Sequence, residues 1–180
     1  MTVLPARFVL AVAALLAGGC SASTAAPSRP AAEPEVELIR METNSWGRPV
    51  SSWQVDSQGE GEFREARPAP SGNFHEYDLV TKRIRAGADG FVRLRGLLRP
   101  AERFAAGEGP DCGMRATDLP YGGATWIGGG AERSVRFDLG CQGPEAVRMN
   151  EALGAAESLV REWAAGAPVD SVSEVRQPAR

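Results

Sequence analysis

Two stretches of this chain alternate apolar and polar residues on either side of a glycine-bearing joint, and a two-residue period can only be a strand. In SSWQVDSQGEGEFREA, residues 51–66, Trp53 and Val55 fall on one face, and Ser57-Gln58-Gly59 supplies a turn whose glycine is free to take positive φ. In ATWIGGGAERSVRFDLG, residues 124–140, two runs meet at glycines, and Val135, Phe137 and Leu139 alternate. Strands of this kind have one dry face, and a dry face needs a cover. Two more runs extend the sheet: EVELIRMET (35–43), and NFHEYDL (73–79) after the breaker RPAPSG. In the latter His75, Tyr77 and Leu79 share a face, with Glu76 and Asp78 on a wet one.

The cover is helical. Phe91, Leu94 and Leu98 recur at three and four residues, which predicts a helix over 88–98 that Arg99-Pro100 ends. Ala146, Met149, Leu153, Ala156, Val160 and Trp163 form a longer stripe, opened by Pro144 and stopped by Gly166 and Pro168. The sequence therefore reads as an α+β fold: an antiparallel sheet of about six strands in the order ββββ-α-ββ-α, with the helices packed on one face. The folded domain is 35–166, and 167–180 is expected to be a flexible tail. A hydrophobic fraction of 43% in 180 residues supports one packed core.

The N-terminus has a different character. Arg7 precedes the apolar run FVLAVAALLA (8–17), and Ala17-Gly18-Gly19 leads to Cys20. The run is too short to span a bilayer, which takes about 20 apolar residues, and it has the tripartite form of an export signal over 1–19. Ala17-Gly18-Gly19-Cys20 resembles the bacterial lipobox, with Ala17 where leucine is favoured. The resemblance implies that Cys20 is lipidated and becomes the mature N-terminus, so that the membrane is a partner through the lipid. Several acyl chains on one residue make a lasting anchor, since each buried methylene contributes about 0.8 kcal/mol. Ser21, rather than aspartate, follows the cysteine. By resemblance to enterobacterial sorting this implies the outer membrane, facing the periplasm, in a Gram-negative organism. Residues 20–34 are Ala/Ser/Pro-rich and read as an extended tether.

Cys112 and Cys141 remain, and in an exported chain an even pair is most simply a disulfide. They lack CxxC spacing and neighbouring histidines, so no metal site is expected. The stretch NSWGRPVSSWQVDSQGEGEF (44–63), with Pro49, Gly59, Gly61 and Phe63, is similar to a family of uncharacterised small bacterial domains found on secreted proteins or lipoproteins. Asn44 and Arg48 stand where that pattern has cysteines. ATDLP, TWIGGG and the second helix extend the similarity over most of 35–163. It implies fold and location, and no activity.

No motif names a reaction, and no cofactor is implied. His75, the one histidine, suggests a hydrolase reading with Asp78 and Ser51 or Ser52, but there is no G-x-S-x-G elbow. GGATWIGGG lacks the G-K-[ST] ending of a phosphate loop. The pairs Glu60/Glu62 and Glu76/Asp78 share strand faces, as on any solvated sheet, although paired carboxylates also serve glycoside hydrolysis. Charge is uneven: Lys82, Arg83, Arg85, Arg93, Arg95, Arg99 and Arg103 crowd one segment, a solvated face or a patch for an anionic partner. Trp46 and Trp53 beside Arg48 offer a second, fainter surface. A net charge of −3 gives no attraction to nucleic acid. The reading that results is a lipid-anchored envelope module that binds an envelope protein or small ligand. A purely structural envelope domain is the remaining alternative.

Overall fold

The computed structural model describes residues 35–107 and 109–176; the expected signal, Cys20 and the tether lie outside them. β1 (Leu38–Ser45), β2 (Arg48–Asp56), β3 (Glu60–Pro68) and β4 (Glu76–Arg85) form a meander. α1 (Gly87–Glu102) then returns the chain to β1, where β5 (Tyr121–Gly128) and β6 (Ala131–Asp138) add a hairpin. α2 (Pro144–Ala165) crosses back to β4, against which β7 (Val169–Arg176) pairs. The sheet is antiparallel throughout, in the order β6-β5-β1-β2-β3-β4-β7.

The period-two reading places the core. Ile39, Val55 and Ile84 line up across the sheet, as do Ala124, Met41, Trp53 and Phe63, and all are buried. Trp126, Val135 and Phe137 continue the same face. Phe91, Leu94 and Leu98 of α1 and Met149, Leu153, Ala156 and Val160 of α2 close over it. The bond from Asn150 Nδ2 to the Asp138 carbonyl seats the start of α2 over β6, and that from Lys82 Nζ to the Ala164 carbonyl seats its end over β4.

Four expectations need correction. Residues 169–176 are a seventh strand rather than a loose tail; Val169, Val172 and Val175 recur every third residue, a spacing that hides a strand on an edge exposed almost throughout. α1 runs through Pro100 to Glu102: in the last turn the missing N–H forfeits one bond, and the buried Ala101 holds the turn to the core. The fourth strand is Glu76–Arg85, not 73–79, because Asn73 is committed to turns. Its N–H donates to Ser71 Oγ, and its own Oδ1 accepts from the His75 N–H. His75 is thereby exposed outside the strand, and Leu139 lies exposed just beyond β6.

At the joint between β2 and β3, Gly59 has φ +76°, and a Cβ there would sit 2.0 Å from the Gly87 carbonyl oxygen. Gly59→Ala is therefore expected to cost about 3 kcal/mol, as strain from the left-handed backbone adds to the clash. Urea unfolding checks this, and a loss under about 1 kcal/mol would contradict the packing.

Candidate functional site

Antiparallel connectivity sends all loops to two ends. At one end lie the chain's approach through Glu35 and the turns at 57–59, 86 and 129–130. At the other lie the β1–β2 turn, the β3–β4 connection, the long segment between α1 and β5, and the start of α2. Among the exposed large hydrophobic residues, Trp46, Phe74, Met114, Leu119, Tyr121, Leu139 and Val147 are all at this second end; Val92, Val169 and Val172 lie elsewhere. Scattered apolar exposure is ordinary; here most of it is collected at one end.

Trp46 is the most informative of these. Ser45 pairs with Arg48, so Trp46-Gly47 is a two-residue hairpin loop, with φ of +52° and +74°. Both signs match a type I′ turn, where the first position suits asparagine, aspartate or glycine. A tryptophan there is held in a left-handed conformation and yet is 66% exposed. It gains no core burial for that strain.

The disulfide Cys112–Cys141 organises the neighbouring loop. Around it the Gln142 and Gly143 N–H groups donate to the Cys112 carbonyl, and the Ala116 N–H donates to that of Gly140. Arg115 is thereby set against Asp138, Nε to Oδ2 at 3.3 Å. This ion pair stands between two hollows. One, of about 270 Å³, lies among Trp46, Leu119 and Tyr121. The other, of about 640 Å³, runs along β5 and β6 past Tyr121, Gly123, Arg136 and Met149.

The residues singled out by sequence fare unevenly. Ser51 and His75 are not brought together. Ser51 is buried under α2, its Oγ donating to Glu157 Oε1 at 2.7 Å, while His75 stacks edge-on with Phe74 in the β3–β4 connection. Ser52 lies on the opposite, open face of the sheet. The paired carboxylates are engaged: Glu60 with Arg85, Glu62 with Arg64, Glu76 with Ser71 and Asp78 with Arg176.

The basic segment does not form one surface. Lys82 is drawn onto α2. Arg83 is on the other face beside Asp170, whose hydrogen bond and then charge raise the guanidinium pKa. Arg85 meets Glu60, Arg95 meets Glu102, and Arg103 meets Glu145. Arg93 and Arg99 are exposed on α1. Trp53 is core, and Arg48 packs over Phe74 and Tyr77, so the Trp46–Trp53–Arg48 surface reduces to Trp46. Among the described residues no three metal-binding side chains converge, and no helix is long and apolar enough to cross a membrane.

Sequence reasoning passed over Glu157. Its Oε2 accepts from Trp53 Nε1 at 2.7 Å, and Arg161, one turn on, bonds its Oε1 at 2.9 Å while lying over Phe63. The legible signal was a Glu/Arg pair at i,i+4 beside an apolar stripe, which is usually a surface pair. Comparison with protein-family models, with curated proteins and with solved structures finds no match.

Proposed function

We propose that this chain is an exported lipoprotein, held by lipid on Cys20, that binds an envelope protein through the loop end of its sheet. In a Gram-negative organism its place is the outer membrane, facing the periplasm. One observation carries the reading: an exposed, conformationally strained Trp46 stands at the head of an apolar end, and Glu35, the first described residue, is at the other. Strain that contributes nothing to the core is best explained by contact with something outside the chain. The hollow beside Trp46 is about the size of one large side chain, and tryptophan, tyrosine and arginine are the residues that dominate protein contacts. The end near Glu35 also carries Glu37, Asp56 and Asp89, with Glu60 paired to Arg85, and this acidic excess disfavours adhesion of that end to anionic lipid.

Trp46→Asn separates function from folding. Asparagine suits the turn, so stability should rise by about 1 kcal/mol while partner capture falls at least about tenfold. Cross-linking in intact cells, with Cys20→Ala alongside, measures capture, and thermal unfolding measures stability. Undiminished capture by Trp46→Asn would remove the loop end from the reading. A Cys20→Ala chain that stays in the membrane fraction would remove the lipid anchor.

A further inference from the structure

We propose that two copies of this chain join through the free edges of β6, antiparallel and in a register centred on Ser134. The sheet order leaves two edges, β6 and β7. On β7 the charged residues already have partners: Asp170 meets Arg83, and Arg176 meets Asp78 and Glu174. β6 differs. It runs eight residues with no proline and pairs with β5 without a register shift. It therefore has neither proline nor bulge, and the edge is guarded only by its charges, Glu132, Arg133, Arg136 and Asp138.

The loop fixes which groups face outward. Gly128 and Ala131 close a two-residue turn and so exchange both ladder bonds. Alternation then turns the backbone groups of Arg133, Val135 and Phe137 toward β5, and those of Glu132, Ser134 and Arg136 toward the free side. The side chains of these last three are exposed on the open face of the sheet. The larger hollow lies alongside Ser134, Arg136 and Asp138, with Gly109, Pro110 and Cys112 also in its lining, so a second strand has to enter beside that loop.

The charges are self-complementary. Glu132 and Arg136 have no ion-pair partner among the described residues, whereas Arg133 between them is held by Glu102 at 2.8 Å. A twofold axis through Ser134 sets Glu132 opposite the second copy's Arg136, and Arg136 opposite its Glu132. Ser134 faces itself. All three are positions that exchange a pair of N–H···O bonds. A slip of two residues one way sets Glu132 against Asp138; the other way it leaves Arg136 opposite Gly130. The centred register alone pairs both charges, and because its contacts are reciprocal the assembly closes as a dimer.

Sedimentation of the purified full chain at rising concentration tests this. The unaltered chain should dimerise. Arg136→Glu or Glu132→Arg makes two symmetric attractive pairs repulsive and should weaken association at least about tenfold. The combined swap should restore it. In a Cys20→Ala background Ser134→Cys should be cross-linked by a short bifunctional thiol reagent, since facing Cα atoms lie about 5.5 Å apart, and Glu132→Cys, four residues out of register with its own copy, should not. An unaltered chain that stays monomeric overturns the proposal. So do single reversals that leave association unchanged, a swap that fails to restore it, or equal cross-linking at both positions.

Discussion

Glu157→Ala is expected to lower stability by about 3 kcal/mol, near 10 °C in Tm for a domain of this size, although the residue belongs to no proposed binding surface. The carboxylate accepts from Ser51 Oγ and Trp53 Nε1, and both donors belong to residues only 2% exposed. Removing it leaves two buried donors without an acceptor, each costing about 1–3 kcal/mol. Arg161 also loses its nearer carboxylate, keeping Glu65 at 3.6 Å and the face of Phe63. The conservative change separates the causes. Glu157→Gln keeps an acceptor for the indole, and the Ser51 hydroxyl can rotate to accept from the new amide, so the loss should be near 1 kcal/mol. Chemical denaturation of both variants reads the difference. Equal losses would mean that the charge on Arg161, rather than the stranded donors, governs the site.

The same cluster shows where sequence reasoning stops. Trp53 and Val55 on one face, the turn at Gly59, the Gly129-Gly130 joint and the apolar stripe of α2 are local patterns, and each is realised because burial follows period. Glu157 is not local: its partners on β2 are more than a hundred residues away in the chain, and only the packing of α2 across the sheet brings them together. β7 escaped for a related reason. Its strand is stabilised by pairing with β4 at Val80–Val172 and by Arg176 on Asp78 rather than by its own apolar alternation. The basic run misled because β4 and α1 were read as one segment. Alternation along β4 sends Lys82 and Arg83 to opposite faces, and carboxylates from β3, β7 and α2 claim Arg85, Arg83 and Arg103. Trp46 was visible as a residue, but its left-handed backbone was not, since that depends on the register of Ser45 with Arg48.

Opening the Cys112–Cys141 bond, by reduction or by Cys112→Ala with Cys141→Ala, is expected to lower stability by about 2–4 kcal/mol, up to about 3.6 on the chain-entropy argument for a loop of this length. The loss should also be uneven. Between Ala105 and Pro120 the described chain has no helix or regular strand, and its attachments to the far side of the loop are the disulfide, the exposed Arg115–Asp138 ion pair and a few backbone bonds near Cys112, Ala116 and Cys141. The core beneath does not depend on it, because Met149, Leu153 and Val160 are buried against the sheet by α2 itself. Hydrogen exchange should then find the amides of Ala116, Gln142 and Gly143 opening by local fluctuation, while those of Val55 and Trp126 still exchange only on global unfolding. Because Arg115 and Leu119 flank the hollow beside Trp46, partner capture should fall with the same treatment even where the domain stays folded. If protection drops equally in loop and core, the disulfide acts on the unfolded chain alone, and the loop end is not organised by it.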